Sequence, residues 1–283
     1  MDGPGRNGCA RPIGVFDSGL GGLTVVRQVM DLLPGEDIVY LGDSARVPYG
    51  TKSPQLIRQF ALQDARFLLR YDPKVIVAGC NTVSAVAMEV LCEAMPVKVV
   101  GVVAPAAAQA VRLARGGLIG VIGTRATIRS GAYQDAIRAL DQTCRVIATP
   151  AYLLVPIVEE GRGSEDPIVL HVLSDYLRQL QRARPRVLIL GCTHYPLLKT
   201  AISKLMGPDT VLLDTGAAAA EEVAADLRQR GLTNPQPAGA LRCFCTDNAE
   251  TFAELAGRFL GRRVEQVTWV GTDELAAGEA VRT

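Results

Sequence analysis

Val75-Ile76-Val77-Ala78-Gly79-Cys80-Asn81-Thr82 and Val187-Leu188-Ile189-Leu190-Gly191-Cys192-Thr193-His194 are the two stretches whose reading decides the fold. Each begins as a run of β-branched and aliphatic residues of strand length and opens into a helical pattern after a Gly-Cys pair. Each therefore sets a cysteine at the C-terminal end of a strand, where a helix begins. A thiol there faces unpaired backbone N–H groups and the positive end of the helix dipole, which favour the thiolate. Two matched thiols suit chemistry with two matched faces.

Outward from these runs the same alternation continues. Strands are expected at 13–16, 38–41, 75–78, 97–102, 118–122, 145–148, 187–190, 211–213, 240–245 and 264–270. Helices are expected between most of them, at 23–33, from Ser53 with Pro54 as first helical residue, and at 84–94, 106–115, 131–140, 167–182, 196–206, 217–230 and 249–260. Near-continuous apolar strands alternating with helices indicate an α/β fold with mainly parallel sheets covered by helices. Each half also has an earlier strand ending in a polar loop, Asp17-Ser18-Gly19 in one and Gly123-Thr124-Arg125 in the other. The pattern predicts two similar lobes with the active site in the cleft where strand C-termini meet. Residues 1–10 read as a mobile tail.

At 283 residues, with 48% of them apolar, 21% charged and a net charge of +1, the chain is long enough and apolar enough for one large or two ordinary domains. There is no basic block and only six Phe and one Trp, so neither nucleic acid nor an anionic membrane is indicated as a partner. No apolar run has bilayer-spanning length, and Met1-Asp2-Gly3-Pro4-Gly5 has no apolar signal core. A cytoplasmic location is the expectation, with the seven cysteines reduced. Cys9 has no evident role, Cys92 and Cys144 read as buried inert thiols, and Cys243 and Cys245 share one strand face and read as core. No ligand spacing suggests a metal.

A thiol near neutral pH is a fair base as thiolate and a fair acid as thiol, which suits removal and return of a proton on carbon. His194, two residues beyond Cys192, reads as an acid or base partner. The other of the two histidines, His171, lies mid-helix among Leu170, Val172 and Leu173 and reads as a packing or surface residue. Asp17 reads as a base partner or ammonium acceptor, and Ser18, Gly19, Gly21 and Gly22 let backbone N–H groups approach an anion. Gly19-Leu20-Gly21-Gly22-Leu23-Thr24 places its glycines wrongly for a dinucleotide fingerprint, although Asp43 follows at a suitable distance. Asn81, Thr82 and Thr193 flank the thiols with groups suited to a carboxylate or to capping a helix. Asp43 to Gly50 is a loop by composition, an ordinary turn or a functional loop with nothing local to choose between them, and Asp214-Thr215-Gly216, despite its aspartic-protease form, reads as a cap.

Together these residues resemble the glutamate racemases of the aspartate/glutamate racemase superfamily, from Pro12 to about Val270. The resemblance rests on Gly14-Val15-Phe16-Asp17-Ser18-Gly19-Leu20-Gly21-Gly22-Leu23, Pro48-Tyr49-Gly50, Cys80-Asn81-Thr82, Val155-Pro156-Ile157-Val158-Glu159-Glu160-Gly161 and Gly191-Cys192-Thr193-His194-Tyr195-Pro196. It implies cofactor-independent, two-base interconversion of L- and D-glutamate for peptidoglycan. Cys80 and Cys192 would be the acid/bases, Asp17 and His194 would tune or assist them, and Glu159 would orient His194. Asp17, Ser18, Tyr49, Gly50, Asn81, Thr82, Thr124, Thr127, Thr193 and His194 would bind substrate. The implied domains are 1–102 with 213–283, and 103–212. Of partners, glutamate and a second copy of the chain are expected, and of cofactors none. A racemase or isomerase for another small acid, a cysteine hydrolase built on Cys192 and His194, and a non-catalytic binding protein are the competing readings.

Overall fold

The computed structural model describes residues 8–277. The order of elements is β1 (Ile13–Asp17), α1 (Leu23–Leu32), β2 (Ile38–Gly42), α2 (Pro54–Leu69), β3 (Val75–Ala78), α3 (Asn81–Val86), α4 (Met88–Ala94) and β4 (Val99–Gly101). There follow α5 (Val103–Ala114), β5 (Leu118–Gly123), α6 (Arg125–Arg129), α7 (Ala132–Leu140), β6 (Arg145–Pro150), α8 (Leu154–Glu159), α9 (Pro167–Ala183), β7 (Val187–Gly191), α10 (Lys199–Met206) and β8 (Val211–Asp214). The chain then returns through α11 (Thr215–Gln229), β9 (Leu241–Cys245), α12 (Ala249–Leu260), β10 (Val267–Trp269) and α13 (Thr272–Ala277).

All strand pairings are parallel. One sheet has the order β10-β9-β2-β1-β3-β4 and the other β6-β5-β7-β8. The expected two-lobed α/β architecture is therefore the one observed. In the first sheet the chain moves from β1 to β2 on one side and then to β3 on the other; in the second it moves from β5 to β6 and then to β7. Each reversal opens a crevice beyond the strand C-termini, the place where open parallel sheets bind ligands. Asp17 and Cys80 flank the first crevice, Thr124 and Cys192 the second. The last strand of the second sheet ends at Asp214, so a boundary drawn between 212 and 213 passes through β8.

Local chemistry sets the helix starts. Ser53 accepts from the Leu56 amide at 3.3 Å with Pro54 in the first turn, and Asp166 accepts from Ile168 at 2.8 Å ahead of Pro167. On α9 the buried residues Val169, Leu173, Leu177 and Leu180 make one apolar stripe, while His171 faces solvent. One apolar core runs without a break from Leu23 and Val26 on α1 to Leu177 on α9 and Ala201 on α10, so it belongs to both lobes.

The structure corrects several expectations. The helix expected at 84–94 is two helices: α3 starts earlier, with Cys80 as its N-cap, and it stops where the Val86 carbonyl accepts from Arg58 Nε at 3.1 Å. The expected 196–206 helix opens as a tighter 3₁₀ turn, Tyr195–Leu198. Helices α6, α8 and α13, five or six residues each, were not expected. Cys92 is exposed, because Leu91 is the one buried side chain of α4 and its neighbour turns outward; Cys144 is half-buried. Of the expected tail, residues 1–7 lie outside the described residues, but Gly8–Ala10 form a 3₁₀ turn that is tied down. The Lys74 ammonium donates to the carbonyl of Cys9 at 2.7 Å and of Leu232 at 2.9 Å, and pairs with Glu36.

Lys74 and Glu36 are both buried. Lys74→Met leaves the Glu36 carboxylate buried without its counter-charge, and urea unfolding should show a loss of about 3–5 kcal/mol. A loss below about 1 kcal/mol, the range of an exposed pair, removes this account.

Candidate active site

Cys80 follows β3 as the N-cap of α3, and Cys192 follows β7 before the Tyr195–Leu198 turn. Both are about 5% exposed, and both line one cavity of about 340 Å³ between the lobes. Of the residues singled out from sequence, Ser18, Tyr49, Gly50, Asn81, Thr82, Thr124, Glu159, Thr193 and His194 line the same cavity. Asp17 and Thr127 lie behind its wall and are fully buried.

The two thiols have unlike surroundings. The Cys80 thiol points to Ser18 Oγ at 3.6 Å. Burial and then the charge of Asp17 push it up to about 12. Asp17 is itself raised above the usual carboxylate range by burial, against the pull of the His194 charge and of the Gly19 amide, which donates to Oδ2 at 3.0 Å. Its Oδ1 is buried on the side of Cys80, with no hydrogen bond of ordinary geometry.

At the second thiol, Cys192 Sγ lies 3.8 Å from His194 Nδ1, and His194 Nε2 lies 2.9 Å from Glu159 Oε1. Burial opposes charge on this imidazole, but the bonds to Cys192 and Glu159 outweigh it and hold His194 up at about 10. At neutral pH it is an imidazolium whose two N–H groups point at the sulfur and at the carboxylate. Phe259 closes it in with an edge-to-face contact, ring centroids 5.2 Å apart.

The rest of the wall is held by bonds between lobes. Thr82 of the first lobe reaches Thr124 at 3.0 Å and Thr127 at 3.3 Å, with Oγ1 on Oγ1. The Asn81 amide donates to Thr215 at 3.2 Å and accepts from Tyr133 at 2.6 Å, which fixes its orientation. The Tyr49 hydroxyl is turned away from the cavity toward Asp43 and Asp64, so Tyr49 lines the cleft with its backbone and ring. Asp214 caps α11 by accepting from Gly216 at 2.8 Å.

Sequence reasoning missed Tyr133, Thr215 and the cleft-mouth residues Arg125 and Tyr152. The Arg125 guanidinium stacks 3.6 Å over the Tyr152 ring, and among the described residues that line the cavity Arg125 is the one Lys or Arg. A pairing of side chains on separate elements leaves no local sequence signal. Among the described residues no group of three or more His, Cys, Asp or Glu is arranged as a metal site, and no helix is long and apolar enough to cross a membrane.

Residues 20–223 match the family model for Asp/Glu/Hydantoin racemase. A glutamate racemase of Thermus thermophilus is 47% identical over 265 residues, which cover 93% of this chain and 98% of that one. The crystal structure of a glutamate racemase isoform from Bacillus anthracis superimposes with a TM-score of 0.88 at 36% identity, covering 92% of this chain and 97% of that one. The glutamate racemase from Francisella tularensis, solved in complex with D-glutamate, does so with a TM-score of 0.87 at 38% identity, over 94% and 99%.

A raised histidine contributes stability that is complete below its unfolded value of 6.5 and is lost as pH rises through about 10. Glu159→Gln should therefore shift His194 downward in an NMR titration, and the stability gap between wild type and variant should close as pH rises from neutral through that range. His171→Asn identifies the other ring signal, since the chain has two histidines. A His194 signal at the ordinary histidine position, or one that Glu159→Gln leaves unmoved, removes the assignment.

Proposed function

This chain belongs to the Asp/Glu/Hydantoin racemase family, and from that premise we propose that it interconverts L- and D-glutamate with Cys80 and Cys192 as paired acid and base. The product D-glutamate serves bacterial peptidoglycan. One observation carries the mechanism: two buried thiols, each at the switch point of its own parallel sheet, open onto one cavity.

The reaction exchanges one proton on Cα for another on the opposite face. Cys192 as thiolate takes the α-proton of L-glutamate, and the Cys80 thiol delivers a proton to the other face. The product is D-glutamate, with the protonation of the two sulfurs exchanged. The reverse reaction starts from Cys80. Positioned acid/base groups supply roughly 10²–10⁴-fold, so stabilisation of the carbanion must supply much of the rest. The Asn81, Thr82 and Thr193 region offers donors for the α-carboxylate, onto which the developing charge spreads. Ser18, which lines the cavity, suits the substrate ammonium, with the Asp17 carboxyl behind it adding attraction through the wall. Glu159 keeps His194 aimed at Cys192. Every described cysteine is free, and a reaction that needs two free thiols belongs in a reducing compartment, which supports a cytoplasmic enzyme.

Cys80→Ser and Cys192→Ser should each lower racemisation by about 10²-fold or more, followed by circular dichroism from either enantiomer. With an analogue carrying a leaving group on the β-carbon, elimination needs only the first proton abstraction. Cys80→Ser should then eliminate from the L-form alone and Cys192→Ser from the D-form alone. Near-normal racemisation by either variant, or a shared preference for one enantiomer, would show that a single thiol suffices.

A further inference from the structure

A second group of buried ionisable side chains sits behind the cleft wall. The side chains of Asp43 and Asp64 are fully buried, and that of Arg46 between them is 14% exposed. Arg46 donates from Nε to Asp43 Oδ2 at 2.6 Å, from Nη2 to Asp64 Oδ1 at 2.9 Å, and from its third nitrogen to Gln63. The Tyr49 hydroxyl touches Asp43 Oδ2 and lies 3.0 Å from Asp64 Oδ2. Thr246 donates to Asp43 Oδ1 at 2.9 Å.

The protons do not balance if both carboxylates are ionised. One tyrosine proton cannot serve two carboxylate oxygens, so one contact would set lone pair against lone pair. The cluster would also hold a net negative charge away from water. One added proton removes both problems. Asp43 has donors on both oxygens, whereas Asp64 Oδ2 faces only the Tyr49 hydroxyl. The proton therefore belongs on Asp64 Oδ2, which donates to Tyr49 while Tyr49 donates to Asp43. The charge of Arg46 then cancels that of Asp43. In agreement, burial and then the Asp43 charge raise the Asp64 carboxyl well above its ordinary range, with Asp17 adding to them and Arg46 and Tyr49 opposing. The remaining close neighbour is the Phe60 ring, 4.1 Å under the Arg46 guanidinium; the Arg70–Glu274 ion pair joins the end of α2 to α13.

We propose that Asp64 is a positioning residue that carries this proton, and that the neutral Asp43–Tyr49–Asp64–Arg46 cluster fixes Pro48-Tyr49-Gly50 as a wall of the substrate cleft. The inference rests on that cleft being the glutamate site. Tyr49 and Gly50 line it, and a Cβ at Gly50 would stand 2.8 Å from Thr124 Cβ of the other lobe. A wall so confined sets where the substrate lies, and a misplacement of about 1 Å costs on the order of 100-fold in rate.

Asp64→Asn copies the neutral acid: its carbonyl accepts from Arg46 and its amide N–H donates to Tyr49. It should keep kcat/KM within about threefold of wild type near neutral pH, whereas Asp64→Ala should lower kcat/KM about tenfold or more, chiefly through kcat. A carboxyl raised in the folded state contributes stability that is complete below its unfolded pKa and is lost as pH rises through the folded one. Wild-type Tm should therefore fall on the alkaline side, and Asp64→Asn, with no such proton to lose, should keep more of it. Three outcomes overturn the proposal: a folded Asp64→Asn that loses tenfold or more, an Asp64→Asn that does not fold, or parallel Tm–pH curves. The melting curves need no substrate. A wild-type chain inactive on glutamate would sink the functional reading and leave the proton on Asp64 to be decided by melting alone.

Discussion

The start of α1 comes so close to the far lobe that only bare backbone fits, and the composite site depends on that approach. A Cβ at Gly21 would stand 2.1 Å from Thr193 Oγ1 and 2.7 Å from His194 Nδ1. One turn on, Thr24 donates to the Thr193 carbonyl at 3.0 Å. The loop that follows Asp17 is thereby pinned against the loop that carries Cys192. Beneath the contact the apolar core is continuous across the lobes, so the two switch points cannot drift apart without exposing it. The threonine cluster of Thr82, Thr124 and Thr127 closes the opposite side. What lies between is a cavity walled by buried side chains, where single charges act more strongly than in bulk water.

In that cavity the two charged partners fall on opposite sides. Holding the Cys80 thiol near 12 instead of 9 makes its thiolate about 4 kcal/mol harder to form. Burial and the neighbouring Asp17 set this cost, and a cation placed against Asp17 would offset part of it. An amino acid brings such a cation in its ammonium group. On the proposed reading, substrate binding itself relieves the thiol that must accept a proton from D-glutamate. The other face needs no such help, because the His194 imidazolium is built into the protein and held by Glu159.

How much of this was legible in the sequence follows the range of the interactions. The ten strands and the placement of both thiols came from local patterns, since a short apolar run followed by Gly-Cys marks a strand end wherever it occurs. The start of α2 came from Ser53 and Pro54 for the same reason. Helix α8 was not legible from periodicity: it is six residues long with Pro156 inside it, and its partnership with His194 spans 35 positions. Glu159 entered only through family resemblance. Asp64 gave no signal, because a carboxylate in a helix normally faces solvent and only the returning Asp43–Gly50 loop buries it. The anchoring of Gly8–Ala10 likewise depends on Lys74 and Leu232, both distant in sequence.

The unlike thiols have to be reconciled with a reaction whose equilibrium constant is one. Enantiomers in an achiral solvent have equal free energy, so kcat/KM must be equal for L- and D-glutamate whatever the protein does. The imidazolium beside one thiol and the carboxylate beside the other therefore cannot make one direction more efficient from free enzyme and free substrate. They act on what is populated. A face that tolerates negative charge, as the His194 face does, holds a different share of bound states from one that faces Asp17. The asymmetry must then appear in kcat and KM separately, raising or lowering both together for one enantiomer. On the proposed reading, the repeated strand–thiol–helix unit provides an acid and a base on opposite faces, and the side chains that break the repeat set which enantiomer is held longer. A pseudo-symmetric backbone with asymmetric side chains is what a racemase needs if it is to work from both sides while resting in one protonation state.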